Sequence, residues 1–216
     1  MGRRLCTDYL DPHSLTAFLA NRLVPLDKDP GVRPVGIGEV PRRIIGKGIM
    51  AMLKVNVMKA AGATQLCAGQ EAGVEAVIHA MVQLFEADET DAVLLVDAEN
   101  AFNLLNRSVA LHNIRYICPP ISIALINCYR VGSRLFVAGG VELASLEGTT
   151  QGCPLAMAMY ALGVLPLIDK LRPSRASTCR FCLHNHQQAA SSGSLSAIPL
   201  EDQKEFSMRT PKTKQE

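Results

Sequence analysis

The sequence predicts an α+β fold, an antiparallel sheet packed against helices, from three observations. Val93, Leu94, Leu95 and Val96 run straight into Asp97, a short apolar run of the kind that forms a strand buried on both faces. Residues 107–116 and 121–129 read as two helices divided by Cys118-Pro119-Pro120. Gly139-Gly140 joins the segments 134–137 and 141–145 as a two-residue hairpin turn, because both positions tolerate positive φ. The strands of 91–98 and 134–145 are expected to share one sheet.

The remaining elements follow in order. A short helix is expected over 15–23, then strands at 22–26 and 32–37 joined by the turn-rich Asp27-Lys28-Asp29-Pro30-Gly31. Pro34 suits an edge strand, since it has no N–H to donate. Residues 39–60 read as a helix with Pro41 in its first turn and Ile44, Ile45, Ile49, Met52, Leu53 and Val57 at helical spacing. A loop at 62–69 precedes an amphipathic helix over 70–87, whose apolar side is Val74, Val77, Ile78, Met81, Leu84 and Phe85. A polar loop from Glu147 to Cys153 opens a helix at Pro154 that runs to about Leu171. The domain division is an N-terminal segment at 1–19, a folded unit at 20–172 and a Ser-, Gln- and Lys-rich tail at 173–216 expected to be disordered.

Bulk properties narrow the function classes. The net charge of +2 gives no overall basic signature, although Arg33, Arg42, Arg43 and Lys47 cluster locally, and a groove needs only a few well-placed cations. Seven cysteines without regular spacing, and no secretory leader pattern, point to reduced thiols in an intracellular protein that is not secreted; nucleus and cytoplasm are not distinguished. The longest near-continuous apolar run, 155–168, is too short for a bilayer and contains Pro166, so a buried core helix is expected and no membrane partner.

Three segments bear on chemistry. Asp97 ends a buried strand, where a carboxylate is held rigidly; it can hold a magnesium ion or cap the helix that begins near Asn100. Arg33 and Arg43 can face phosphates with forked, permanently charged donors, or be solvated surface charges. Gln151 and Gly152 form a loop in which Gly permits close backbone approach and Gln both donates and accepts, or else a plain connection into the next helix. In the tail, Cys179, Cys182, His184 and His186 lie too close together for a zinc finger of ordinary spacing.

In this order the segments resemble the fingers and early palm of reverse transcriptases, most closely those of non-long-terminal-repeat retroelements. The resemblance covers roughly residues 20–172. It is carried by Arg33-Pro34-Val35-Gly36-Ile37-Gly38 with Arg42-Arg43-Ile44-Ile45, by Asp97-Ala98-Glu99-Asn100-Ala101-Phe102-Asn103, and by Gln151-Gly152-Cys153-Pro154-Leu155. It implies a right-hand polymerase fold, primer–template and deoxynucleoside triphosphate as partners, and magnesium as cofactor. It implies Asp97 as the catalytic and metal-binding carboxylate, with the Ala98 carbonyl as a second ligand. Phe102 would stand against the sugar and disfavour a 2′ hydroxyl, or be a core aromatic. Arg33 and Arg43 would face the triphosphate, and Gln151 and Gly152 would lie under nucleotide and template.

Two departures qualify what the resemblance implies. Cys153 stands where the family has an acidic residue. More consequentially, these 216 residues contain no Asp-Asp pair, so the Tyr-x-Asp-Asp hairpin that completes the family's metal site is missing. Glu99 and Asp169 are poor substitutes, the first on the opposite side of a strand and the second at the far end of a helix. The expected function is therefore a reverse-transcriptase fragment with little magnesium affinity and no polymerase activity alone. The alternatives are a non-catalytic nucleic-acid-binding remnant using Arg33, Arg42 and Arg43, or a structural α/β domain.

Overall fold

The computed structural model describes residues 1–27, 31–66, 68–87, 94–96, 98, 100–171 and 181–183. It opens with α1 (Gly2–Thr7), a 3₁₀ turn at Pro12–Leu15 and α2 (Thr16–Leu19), so the first expected helix is shorter than 15–23. Then come β1 (Asn21–Asp27), β2 (Val32–Gly38) and the long α3 (Val40–Ala61). Helix α4 (Gly73–Glu86), β3 (Leu94–Val96) and the single turn α5 (Ala101–Leu104) follow. The C-terminal half comprises α6 (Arg107–Ile117), α7 (Pro119–Tyr129), β4 (Ser133–Val137), β5 (Glu142–Ser145), α8 (Ala156–Gly163), α9 (Leu165–Leu171) and β6 (Phe181–Leu183).

The α+β class holds, but the sheet is not the one expected. Four strands lie in the order β2-β1-β4-β5. Strands β1 and β2 pair antiparallel along their whole length, from Asn21 opposite Gly38 to Asp27 opposite Val32, with β2 and its Pro34 at the edge. Strand β4 pairs antiparallel with β5 but parallel with β1, over Asn21, Arg22 and Leu23 only. The long helical excursion between β1 and β4 is what makes a parallel pairing possible. The pairing ends at Leu23 opposite Val137, the last residue of β4, where the hairpin loop begins.

The 134–145 hairpin therefore joins β1 and β2, not the strand at 91–98. Strand β3 pairs in parallel with β6 in a separate two-stranded sheet. Within the tail expected to be disordered, Phe181–Leu183 thus form a strand; the other tail residues, including Cys179, His184 and His186, lie outside the described residues. The hairpin loop is one residue longer than expected. Val137 and Val141 close it around Ala138, Gly139 and Gly140, with both glycines at positive φ.

The core is helical. Ile114, Ile121, Leu125, Met159 and Leu162 are fully buried where α6, α7 and α8 pack together, and Leu5, Leu15 and Leu19 join them from the N-terminal segment. Asn127 fastens that segment. Its Oδ1 accepts from Leu10 N at 3.1 Å, and its Nδ2 donates to the carbonyls of Leu5 (3.0 Å) and Asp8 (2.8 Å). The expected apolar run from Leu155 onward is buried on every side as α8, then breaks at Val164 before α9, which carries Pro166 near its start. No helix of the described residues is long and apolar enough to cross a membrane.

Candidate functional site

Strand β2, the loop before α8 and the turn α5 meet around residues 147–154. Gly36 N donates to the Gln151 carbonyl at 3.0 Å. The approach is close enough to require glycine on both sides. A Cβ on Gly36 would fall 2.3 Å from Thr150 Cγ2, and one on Gly152 would fall 2.8 Å from the Gly36 carbonyl oxygen. Gly152 also sits at φ 96°, where other residues are strained. On the other side, the Thr149 hydroxyl and backbone N–H both donate to the Phe102 carbonyl.

Two buried arginines lock this arrangement from beneath. Arg42, 4 % exposed, points inward from the first turns of α3. Its Nη1 donates to the Leu19 carbonyl (3.1 Å) and Asn21 Oδ1 (3.0 Å), and its Nη2 lies 3.7 Å from Cys153 Sγ. Arg107 opens α6 and donates to the carbonyls of Gly148 (2.9 Å), Ser145 (3.0 Å) and Glu147 (2.9 Å) and to Ser145 Oγ (3.0 Å). The two guanidinium carbons lie 5.9 and 5.5 Å from the centroid of the Tyr129 ring. Cation–π attraction and carbonyl acceptors thus hold the guanidinium groups, and the Glu147 carboxylate accepts from the Arg107 backbone N–H at 2.9 Å.

Burial pushes the Tyr129 phenol well above its usual range, and Cys153 beside it works in the same direction. Burial likewise pushes the Cys128 thiol up to about 12. Both groups stay protonated and neutral at physiological pH, which leaves the positive charges of the arginines unopposed by tyrosinate or thiolate at these two positions.

The sequence-derived site residues have different fates. Asp97 and Glu99 lie outside the described residues, and Ala98 is exposed. Phe102 is 8 % exposed and stacks on Tyr160 with ring centroids 5.0 Å apart, in a small cluster that also holds Ala156. Arg33 is half-buried on β2; alternation along the strand puts it on the face of Val35, whose Cγ1 would lie 3.6 Å from a Cβ on Gly152. Arg43 and Lys47 are exposed on α3, beside Gly46, which packs against Pro154. Gln151 is half-buried and Gly152 exposed. The alternative binding reading puts Arg42 on phosphate with Arg33 and Arg43; instead its donors face carbonyls and Cys153 inside the domain.

The structure therefore brings together the β2 segment, the Gln151-Gly152 loop and the Phe102 turn, with Arg33 and Arg43 at the margins. It also reveals residues that no motif singled out, Arg107 and Tyr129, whose partners are groups distant in sequence. Magnesium of the kind the resemblance implies needs several carboxylates. Asp97, the carboxylate at the matching position, lies outside the described residues, and among the described residues no three His, Cys, Asp or Glu side chains cluster. No protein-family model matches the sequence, and no curated protein matches it.

Proposed function

We propose that the chain carries the fingers and partial palm of a reverse-transcriptase domain, an RNA-directed DNA polymerase of the non-long-terminal-repeat type, and that these 216 residues do not extend a primer by themselves. The observation that supports the reading is the hydrogen bond between Gly36 and Gln151. Two of the three segments that carry the resemblance are far apart in the chain, yet they meet at a close backbone contact between Gly36, which is buried, and the exposed Gly152. Nucleotidyl transfer in such a domain uses two magnesium ions to hold the attacking and leaving oxygens. Asp97 is the one carboxylate at a matching position, and the Asp-Asp pair is absent from this sequence.

A second reading, a non-catalytic nucleic-acid-binding remnant, is favoured by the exposed Arg43 and Lys47, one helical turn apart beside the loop. One set of measurements separates the readings. Under the first, the chain binds primer–template duplex with an affinity that falls as salt rises, shows no extension with magnesium or manganese, and regains extension when joined to a Tyr-x-Asp-Asp hairpin. Salt-dependent binding with no extension in the joined protein supports the second. Removing a single cation that meets phosphate, as in Arg43→Ala, reduces the salt slope by about 1. Absence of duplex binding at low salt refutes both, and extension by the 216 residues alone, abolished by Asp97→Asn, refutes the stated inactivity.

A further inference from the structure

We propose that the exposed face of α3 docks the exposed face of α4 from a second copy of this chain. On α3, Val40, Ile44, Met52 and Val55 are each 60–70 % exposed. They share one side of the helix with exposed Gly48 and Ala51. At Gly48 the surface is notched: a Cβ there would meet nothing within 4 Å. Arg43 and Lys47 border this stripe, and α3 contains no Asp or Glu at all. The face is thus apolar and indented, and the helix's own charges beside it, Arg43 and Lys47, are positive, while Lys54 is paired with Glu71.

Helix α4 carries the complement. Val74, Ile78, Val82 and Phe85 follow one another at steps of four, four and three residues, and each is 36–49 % exposed. Helical spacing makes them a single stripe, distinct from the one that turns Gly73 and Val77 inward. Glu75 and Glu86 lie along its border, both exposed, and α4 contains no Lys or Arg.

The two faces match in kind and oppose in charge, and both are exposed among the described residues. A nucleic acid would neutralise Arg43 and Lys47 but would give nothing to Ile44 or Met52, and it would repel Glu75 and Glu86. An unrelated acidic protein would cover α3 and leave the apolar stripe of α4 in water. A second copy covers both kinds of face. Side chains protruding from α4 have room at Gly48, as helix packing of ridges into grooves requires. The charged borders set which face meets which.

The test is the mass of the full chain by light scattering over a wide concentration range. Self-association is expected, weakening as salt rises. Gly48→Leu fills the notch and Ile78→Glu places a charge in the stripe; each is expected to weaken association at least about tenfold. Each variant keeps the face that the other has lost, so their equimolar mixture is expected to regain a heterodimer. Both sites are exposed, and circular dichroism of each variant checks that its fold is retained. If Ile78→Glu loosens the helix, the charge reversals Lys47→Glu and Glu75→Lys repeat the experiment, weak separately and restored when mixed. A chain that stays monomeric throughout, an association that none of these changes weakens, or a mixture that fails to recover overturns the proposal.

Discussion

Helix α8 and helix α4 are both rich in apolar residues, and the difference between them lies in what surrounds them. Met159, Leu162 and the alanines of α8 are buried on all sides by α6, α3 and the loop before the helix. In α4 only Gly73 and Val77 are buried, while Val74, Ile78, Val82 and Phe85 face water. In the segment that leads to α8, Arg107 collects the carbonyls of Ser145, Glu147 and Gly148. Among the described residues no comparable buried polar anchor holds α4. The ion pair of Lys54 with Glu71, just before the helix, is exposed, and exposed pairs contribute little. An apolar sequence thus yields a core helix where neighbours close around it, and an interaction surface where they do not.

The largest expected effect on the α8 side comes from Arg107→Ala. It deletes the donors to Gly148, Ser145 and Glu147 and leaves their carbonyls without these partners in a part-buried setting. It also removes one of the two cations over the Tyr129 ring. A loss of about 3–5 kcal/mol is expected, read as the urea midpoint. The loop before α8 should loosen first, seen as faster amide exchange at Gly148 and Thr149. Exchange that rises equally in α4 would break the distinction between the two regions.

A smaller effect comes from pH and is also confined to the packed side. Cys128 titrates near 8.5 in the unfolded chain and is pushed up to about 12 in the folded one. Below 8.5 both states hold the proton, and the stability is fully present. Between there and about pH 10 the unfolded state releases it while the folded state keeps it, so stability falls by about 2 kcal/mol over that window. Tyr129, also raised, adds to the slope above its own unfolded value. Cys128→Ala should flatten the urea midpoint against pH between 8.5 and the onset of tyrosine ionisation, about 10. An unchanged slope would show that the thiol is not the titrating group.

Much of the packed region was legible in the sequence for local reasons. The apolar run after Leu155 could only be satisfied inside a core, and Pro34 in an otherwise regular strand had to stand at an edge, as it does. What sequence did not disclose depends on tertiary partners. Arg42 and Arg43 are adjacent and chemically identical, yet one faces the Leu19 carbonyl and the other solvent, because one residue step turns a side chain through 100° on a helix. The partner of the 134–145 hairpin was equally hidden, since β1 and β3 both offered an apolar edge and pairing was decided by where the intervening helices packed. Among the candidate site residues, the meeting of Gly36 with Gly152 is suggested by two glycines in separate motifs but follows from neither motif alone. Periodicity makes the apolar side of α4 one broad inward face; in the structure only Val77 and its neighbours on one edge find cover.

The smallest effect is expected on α4 and sharpens the comparison most. Ile78→Ser, measured at a concentration where the chain is monomeric, removes a side chain that is already about half in water. It creates no cavity, since little packs over it, and it strands no polar group, since the serine hydroxyl reaches solvent. The change in unfolding free energy should be within about 0.5 kcal/mol. Leu162→Ala on α8, a fully buried position, should cost about 2–5 kcal/mol under the same conditions, because the lost burial is compounded by a cavity that the neighbours cannot fill. If the two substitutions cost the same in dilute solution, α4 is packed as firmly as α8 and its exposed stripe has no claim to be an interface. If the Ile78 change stays near zero when dilute but lowers the melting temperature once the protein is concentrated, the missing stabilisation has been supplied by association, as mass action requires.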